Sequence, residues 1–566
     1  MRKFKYIILI AITCLISIGI YEYIDANKPV EIKEDILAYQ SEIEKANLAD
    51  TNFSINDPKV ILNLYGNSPL TAVIIFQTKD LTAPEITVKG KDGSKDITHT
   101  FIPSKTHILP IYGLYAGYDN KVTITASGIT KKLTITTNKL PDDFIQTNSI
   151  NKNFETDDLY FATPTDKGYT AAYDTNGEVR WYLIGDYKWD IQRLNNGHIL
   201  LGNNKLIKKP NYSIGLTEMD LLGKVYYEYN IPGGYHHDVY EMNNGNLLLA
   251  SNNFDSGTLE DYLVEIDRNT GEVVKTIDLY SIMPNNYGEN WFKISSLAYD
   301  EKTNSLTISG YNRNILINID YASSEINYII GDPKNVPQNL KKYVLNADIL
   351  PNKPEGVNIL SNGDIIYITS IDNKKMLVTY HIENKKITIT NKEELSNNED
   401  AYLDILGDNH YLITQGKKIT EIENSKEIMS IDTSSNIYNA KKMSLYANDV
   451  YTNAQGQRIG KIGETKKTNN YSLLSAKNED IINKYNINIV KDAYGLQITG
   501  NFNKNSKVQI ILDNVLSKYT YDMEKTNNTY YKFINEEGIN GKYYIYLKID
   551  KKIYKLHKYA IFYWSK

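Results

Sequence analysis

One short unit recurs along this 566-residue chain: a turn of Asn, Gly or Asp followed by a short apolar strand. Spacings of about forty to sixty residues between the units suit the four-stranded blades of a β-propeller. Hairpins of a second type, such as YDTNGEVRWYL and MDLLGKVYYEY, lie between them, and we predict about five or six blades from roughly Ile150 to Tyr446. The units are GGYHHDVYEMNNGNLLLASNN from Gly233, LNNGHILLGNN from Leu194, TNSLTISGYN from Thr303, LSNGDIIYITS from Leu360 and GDNHYLITQG from Gly407.

Short strands also flank this region on both sides. VILNLYG, TAVIIFQT, PEITVKG and KVTITASG predict a small β-sandwich at residues 52–145, and VQIILD, KYTYDM, TYYKFI and KYYIYLKID predict a second small β-rich domain at residues 461–566. Residues 26–51 are either a helical linker or a solvated spacer, because apolar residues recur among charges there. The sequence therefore predicts an all-β protein with its propeller at residues 146–460.

The N-terminus has the layout of an export signal. MRKFK precedes the apolar run Tyr6 to Ile20, and no small-x-small cleavage site follows. We therefore expect an uncleaved signal anchor at residues 1–25, a single pass through the cell membrane, with the bulk of the chain extracytoplasmic. A lipobox at Cys14 is the competing interpretation, although Thr13 suits it poorly. Cys14 is the only cysteine, so the chain cannot form an intramolecular disulfide.

The charge pattern excludes one class of partner. The formal net charge is −5, and lysines alternate with aspartates and glutamates along the chain. No continuous basic stripe results, and the sequence gives no case for nucleic-acid binding. It leaves the oligomeric state open.

Five segments, taken in order, resemble a known family. NLYGNSPLTAVIIFQT, GEVRWYL, EMDLLGKVYYEYNIPGGYHHDVYEMNNGNLLL, NWFKISSLAYDEKTNSLTISGYNR and IIGDPKNVPQNLKKYVL look like the bacterial aryl-sulfate sulfotransferases that work without a nucleotide sulfate donor. The resemblance implies a six-bladed propeller behind a β-sandwich. It also implies transfer of a sulfuryl group from a phenolic sulfate ester to a phenol acceptor, through a sulfated histidine in the central channel, with no cofactor and no metal.

The site positions of that family are only partly kept in this chain. The family uses three histidines and an arginine, and only the HHD motif, His236 or better His237, supplies a histidine where one is implied. Lys293 follows Trp-Phe where the family has its second histidine, and Glu355 stands where it has its nucleophile. Tyr311 occupies the region of the arginine, with Arg313 two residues on, and side chains at i and i+2 of a strand share a face. Asp238 is expected to orient a histidine or to cap the turn.

Three functions fit these residues. In the first, the chain is still a sulfuryl transferase, in which His237 is the nucleophile, Lys293 and Arg313 bind sulfate, and Glu355 deprotonates the acceptor phenol. In the second, the channel has become a binding or scaffold module without catalysis. In the third, His236, His237, Asp238 and Glu355 form a hydrolytic or metal site, since these are suitable ligand types.

Overall fold

The structure of the chain is a computed structural model that describes residues 36–151, 154–165, 168–185, 187–202, 213–253, 258–268, 271–284 and 288–446, with shorter stretches between 466 and 562. Residues 36–206 and 213–460 form one compact unit, and the C-terminal stretch from 461 belongs to a second. Each unit is described by itself.

The first unit begins with a helix and two small antiparallel sheets. The helix Ile36–Leu48 carries Gln40, whose side-chain amide binds both backbone groups of Val225, donating to O at 3.2 Å and accepting from N at 2.9 Å. The sheets bury alternate apolar side chains such as Ile74 and Ile124 in a shared core, as period-two strands require. One sheet contains Lys59–Leu62, Ala72–Thr82 and Ser104–Ile111, and the other Ile97–Thr100, Glu85–Val88, Asp119–Ala126 and Ile129–Thr136.

A series of sheets follows, and in the described residues there are six of them, each with four or five strands. Their strands pair antiparallel except for Val344–Leu345, which pairs parallel with Ile326–Gly331. In order from the centre outward, the first three are Ile437–Met443, Leu159–Pro164, Ala171–Tyr173 and Val179–Tyr182; then Lys188–Arg193, Ile199–Gly202, Ser213–Met219 and Val225–Tyr235; then Val239–Glu241, Leu247–Ser251, Tyr262–Ile266 and Val273–Asp278.

Short helices precede and interrupt the fourth sheet. A helix at Leu279–Ile282 precedes the fourth sheet, and 3-10 turns at Pro333–Asn335 and Gln338–Tyr343 lead to its last strand. The remaining three sheets are Ile294–Asp300, Ser305–Gly310, Ile315–Asp320, Ile326–Gly331 and Val344–Leu345; then Glu355–Ile359, Ile365–Ile371, Lys374–Glu383 and Lys386–Glu394; then Ala401–Gly407, His410–Gln415, Lys418–Glu423, Lys426–Thr433 and Thr147–Asn151.

The recurrent unit of the sequence forms the second strand of a sheet and the turn before it. These strands are apolar because both of their faces are covered, and Leu247–Ser251 is buried along its whole length. The turn closes when the glycine N–H donates to the carbonyl three residues earlier, with the glycine at a positive φ that other residues adopt at a cost. This hydrogen bond joins Gly197 to Leu194, Gly245 to Met242 and Gly363 to Leu360, each at 2.8 Å.

The first and the last sheet of the series are each completed by a strand from a distant part of the sequence. Ile437–Met443, late in the chain, pairs with Leu159–Pro164 and completes the first sheet. Thr147–Asn151, from before the first sheet, pairs with Lys426–Thr433 at the edge of the last one. The fold is thus all-β and its central part is a β-propeller, as predicted. The count of six blades and the exact domain limits stay predictions.

The second unit contains two antiparallel sheets around its own core, in which Ile498, Ile510 and Leu547 are fully buried. The strands of the first sheet are Lys466–Lys467, Lys518–Asp522, Val508–Asp513, Gly541–Ile549 and Lys552–Phe562, and those of the second are Asn488–Lys491, Leu496–Asn501, Thr529–Ile534 and Glu524–Thr526.

The prediction of a single-pass membrane anchor is corrected. Throughout the ranges given above, no helix is long and apolar enough to cross a membrane, and residues 1–25, with the alternative lipobox at Cys14, lie outside those ranges. The apolar run Tyr6 to Ile20 has 15 residues, about 22 Å of helix at ~1.5 Å per residue, against a hydrocarbon core of ~30 Å. The extracytoplasmic placement had been predicted from that anchor.

Candidate functional site

The candidate site is built where the innermost strands of the propeller sheets begin. Most innermost strands contact the next one around the centre, and a polar or aromatic side chain stands close to the start of each. Four of these strands also carry a register irregularity near their start, a feature that re-aims side chains. The residues are Trp189 and Asp190, His237 and Asp238, Lys293, Glu355, Asp400, and Tyr438.

The HHD motif connects the outermost strand of the second sheet to the innermost strand of the third. Gly233 has φ +87°, and a Cβ there would lie 1.9 Å from the carbonyl oxygen of Asn252, so only glycine fits this approach. The backbone of His236 and Asp238 pairs with Ala250, and His237 has a φ of +59°. A left-handed φ is costly for a residue other than glycine, so the surrounding structure holds His237 in a strained conformation.

The two histidines contact each other through their Nδ1 atoms. His236 Nδ1 lies 2.9 Å from His237 Nδ1, and His236 Nε2 lies 2.8 Å from the carbonyl oxygen of Ser251. A carbonyl only accepts, so His236 Nε2 carries a proton and its Nδ1, in the neutral ring, is an acceptor. His237 Nδ1 must then donate. The unprotonated nitrogen of His237 is therefore Nε2, and its tautomer is fixed by the neighbouring residue.

His237 is nearly buried, at 7 % exposure, beside a group of aromatic rings. Its ring centroid lies 4.8 Å from that of Trp189 and 6.2 Å from that of Tyr438, which in turn lies 4.3 Å from that of Tyr402. Burial lowers the pKa of His237 to about 3, with His236 and Lys293 adding to the effect and the charges of Glu260 and Asp400 opposing it. The imidazole is therefore neutral at physiological pH.

Lys293 approaches the same space from the fourth sheet. It has a φ of +54°, and its Nζ lies 4.1 Å from the ring centroid of Tyr311, within cation–π distance. Lys353 and Lys375 place their ammonium groups 5.9 and 6.0 Å from the same centroid. The Tyr311 hydroxyl donates to Asp400 at 3.2 Å. Three cations thus surround one tyrosine ring.

Glu355 opens the innermost strand of the fifth sheet and is paired in the structure. Its carboxylate contacts the Lys375 ammonium and accepts the N–H of Ala401 at 3.3 Å. Burial raises the pKa of Glu355 to about 8, Lys375 opposes the rise and the charge of Asp400 adds to it. The Glu355 side chain is only 7 % exposed whereas that of Asp400 is 69 % exposed, so this part of the site faces solvent at Asp400.

Buried charges continue toward the second sheet. Asp190 accepts hydrogen bonds from Gln192 and Asn439, and burial raises its pKa, with Lys441 opposing. Burial likewise raises the pKa of Asp238, and burial also raises that of Tyr402, to which the charges of Asp238 and Glu355 add. The region is therefore continuous from the HHD motif to the Glu355–Lys375 pair.

The remaining predicted residues, Asp238, Tyr311 and Arg313, lie in other surroundings than the sequence suggested. Asp238 accepts the N–H of Leu297 in the next sheet at 2.9 Å, and its role in orienting a histidine or capping the turn stays a prediction. The premise for Arg313 is wrong, because the strand ends at Gly310 and residues 311–314 form a turn. Tyr311 and Arg313 therefore lie in a turn and do not share the face of a strand. The turn includes Asn314, which takes a left-handed φ of +57°.

Several residues of the site escaped sequence reasoning. One signal was available for Trp189, Asp190, Asp400, Tyr402 and Tyr438, because each lies close to the start of an innermost strand, as Asp238 does in the third sheet. Glu260 and Lys375 lie near third strands and had no such signal, and neither had the long-range pairing of Lys375 with Glu355. The missed residues are Trp189, Asp190, Glu260, Lys375, Asp400, Tyr402 and Tyr438.

The predicted metal ligands do not form a site in the described ranges. No group of three or more His, Cys, Asp or Glu side chains there is placed to hold a metal ion. Asp238 is engaged with Leu297 and Glu355 with Lys375. His236 and His237 instead use facing nitrogens on each other.

Comparison with protein families gives two matches. The model described as "Arylsulfotransferase (ASST)" matches residues 145–473, more than half of the chain, and the model described as "Arylsulfotransferase Ig-like domain" matches residues 59–140. The second match coincides with the two small sheets at the start of the first unit, and the first covers the propeller.

Individual relatives are distant. "Arylsulfate sulfotransferase AssT" of Escherichia coli O6:H1 is 22 % identical over 378 residues, 45 % of this chain and 61 % of the relative, and that of Lelliottia amnigena is 25 % identical over 233 residues, 31 % and 37 %. The chain thus spans between about a third and three fifths of their lengths.

Among solved structures, virginiamycin B lyase from Staphylococcus aureus aligns with 51 % of this chain and 88 % of its own at 14 % identity and a TM-score of 0.30. The periplasmic gluconolactonase PpgL of Pseudomonas aeruginosa aligns with 65 % and 100 % at 10 % identity and a TM-score of 0.33. Likeness at this level carries no argument about function.

Proposed function

Since the chain belongs to the arylsulfotransferase family, we propose that it transfers a sulfuryl group from a phenolic sulfate ester to a phenol, with His237 as the nucleophile. The observation that carries this proposal is the fixed tautomer of the His236–His237 pair. It leaves the lone pair of a neutral imidazole on Nε2, and a neutral nucleophile is not repelled by a sulfate ester.

In the first step, His237 Nε2 attacks sulfur, the bond from sulfur to the aryl oxygen breaks, and the phenolate leaves. The imidazole becomes a sulfated imidazolium whose Nδ1–H still donates to His236 Nδ1. This hydrogen bond strengthens as positive charge develops on the ring, because charge-assisted hydrogen bonds are the stronger ones. His236 is therefore a positioning residue that favours the intermediate.

Glu355 takes the proton role in both steps. Its pKa of about 8 keeps it largely protonated near pH 7, so that it can protonate the leaving phenolate and then, as a carboxylate, deprotonate the acceptor phenol. The acceptor oxygen attacks sulfur, the Nε2–S bond breaks and His237 is restored. The Lys375 ammonium balances the charge of Glu355 while it is ionised.

The sulfate oxygens are assigned to the lysines around Tyr311. Lys293 lies close enough to His237 for its charge to lower the pKa of that ring, and Lys353 faces the same tyrosine. Trp189 and Tyr438 offer the aromatic surface for the phenol ring. Arg313, once expected to bind sulfate, has no part in this assignment.

The experiment uses p-nitrophenyl sulfate with and without phenol and follows release of nitrophenolate. Release that depends on phenol and is lost in His237→Ala supports the proposal, and His381→Ala is the matched control because His381 pairs with Asp364 on an outer strand. Release without phenol would instead identify a hydrolase.

A non-catalytic binding propeller is the second candidate function. The Glu355–Lys375 contact favours it, because a buried carboxyl group already bound to a lysine stands where the family has its nucleophile. Binding of phenyl sulfate without any turnover, in native protein and in His237→Ala alike, would support this function over the first.

A further inference from the structure

The candidate site carries its side chains on strained backbone. In each of the second to fifth propeller sheets, a residue other than glycine takes a left-handed φ within two residues of the start of the innermost strand. Such a conformation is uncommon for these residue types and costs free energy, and it persists only where neighbouring groups hold it. The four residues are Trp189 with φ +66°, His237 with φ +59°, Lys293 with φ +54° and Lys353 with φ +49°.

Each of these backbones is held by a hydrogen bond from another part of the chain. The four bonds run from the Thr163 hydroxyl to the Trp189 carbonyl at 2.6 Å, from the Tyr438 hydroxyl to the His237 carbonyl at 3.3 Å, from the Tyr311 N–H to the Lys293 carbonyl at 3.0 Å, and from the Lys353 N–H to the Asn314 side chain at 2.8 Å. The bond to His237 comes from the strand Ile437–Met443, which completes the first sheet. The backbone of the proposed nucleophile therefore depends on a side chain from the late strand.

The ring of Tyr438 is fixed independently of its hydroxyl group. It meets the Trp189 ring edge-on, with centroids 5.0 Å apart and planes at 85°, and its centroid lies 4.3 Å from that of Tyr402. A phenylalanine at this position would keep both contacts, so the hydroxyl group can be removed by itself.

The φ of His237 sets the position of its ring relative to His236. Rotation about the N–Cα bond swings the His237 side chain against the preceding peptide, so the 2.9 Å contact between the two Nδ1 atoms depends on the strained φ. We propose that Tyr438 is a positioning residue for His237. Its hydroxyl group holds the strained backbone, and with it the Nδ1–H tautomer that leaves the lone pair on Nε2. The catalytic consequence rests on the proposed role of His237 as the nucleophile.

The kinetic test is Tyr438→Phe, with kcat and KM measured for p-nitrophenyl sulfate in the presence of phenol, on full-length protein whose Tm has been checked. We expect kcat to fall about two- to ten-fold, the effect of one neutral hydrogen bond. KM for the sulfate ester should stay the same, because the aromatic ring is kept. The matched control is Tyr446→Phe, which should leave both constants unchanged, since the Tyr446 hydroxyl also donates to a carbonyl, that of Pro110 at 3.0 Å, outside the site.

A second measurement does not need turnover. ¹⁵N NMR of full-length protein labelled at its eight histidines reports which ring nitrogen of each histidine carries a proton, and His237→Ala identifies the signal of His237. We expect native protein and Tyr446→Phe to show His237 protonated at Nδ1, and Tyr438→Phe to show a mixture of the two neutral tautomers.

An unchanged His237 signal in Tyr438→Phe overturns this role for Tyr438. In active protein, an unchanged kcat or a change in KM alone overturns it as well. Native protein without turnover would refute the proposed function, and the NMR comparison would then decide by itself whether Tyr438 positions His237.

Discussion

Replacement of His236 by leucine tests the role of the histidine pair in depth. Leucine fills similar space but offers no acceptor to His237 Nδ1, which lies 2.9 Å from His236 Nδ1. A hydrogen bond to a charged group contributes about 1.5 to 3 kcal/mol, and each ~1.4 kcal/mol is a factor of ten in rate. If the bond strengthens fully in the transition state, kcat/KM for the sulfate donor falls roughly 10- to 150-fold.

The matched variant is His236→Asn, whose side-chain oxygen stands close to the position of Nδ1 and can accept from His237. Neither variant can reach the Ser251 carbonyl, so both lose that contact and their difference isolates the acceptor. We expect asparagine to recover most of kcat/KM, measured with p-nitrophenyl sulfate on protein whose Tm has been checked. A leucine variant as active as the native protein, or an asparagine variant no better than leucine, would show that the acceptor on His236 does not stabilise the transition state.

Three other changes have defined outcomes. Glu355 has its pKa raised to about 8 by burial, so kcat/KM for phenyl sulfate should fall above pH ~8, and Glu355→Gln should show a lower rate without that fall; an unchanged profile in the variant would contradict the acid role. Burial alone would raise the pKa of Glu218, but hydrogen bonds from His198 and Arg268 hold it well below its usual value. The stability that Glu218 contributes is therefore present above pH ~4.3 and is lost as the pH falls below that value. Glu218→Gln should unfold in urea with a free energy about 3 to 5 kcal/mol lower than that of the native protein at pH 7, because it breaks a buried pair. The difference between the two proteins should shrink in acid. Gly233→Ala should lower Tm far more than Gly245→Ala, because both glycines have φ near +85° but only Gly233 faces a carbonyl oxygen at 1.9 Å; equal shifts would mean that φ strain alone matters.

The fold was largely predictable because its signals are local. A glycine turn followed by a strand buried on both faces leaves a repeated pattern, and five copies of it mark the second strands of five sheets. Closure was not predictable in the same way. The pairing of Ile437–Met443 with Leu159–Pro164 joins segments nearly three hundred residues apart, and nothing local in either strand specifies its partner.

The sequence indicated which residues stand at the site but not the contacts that set their protonation states. His237, Lys293 and Glu355 were found through family positions, and the structure places all three at the starts of innermost strands. The tautomer of His237 depends on Ser251, fourteen residues away, and the state of Glu355 depends on Lys375 across the sheet. Such contacts depend on register. The error at Arg313 arose because alternation was extended past Gly310, where the strand ends and a turn begins.

The prediction of a membrane anchor was unreliable because its pattern is not specific. A charged start followed by an apolar run occurs both in signal peptides that are removed and in segments that stay in a membrane. No membrane-spanning helix occurs in the stretches that the structure covers.

A sulfated His237 can be detected by mass spectrometry after the protein is incubated with p-nitrophenyl sulfate and no acceptor, then digested at alkaline pH. We expect one added SO₃ group on the peptide containing His237, its loss on addition of phenol, and its absence from His237→Ala. Turnover with phenol but no label, or a label on another residue that persists in His237→Ala, would contradict it.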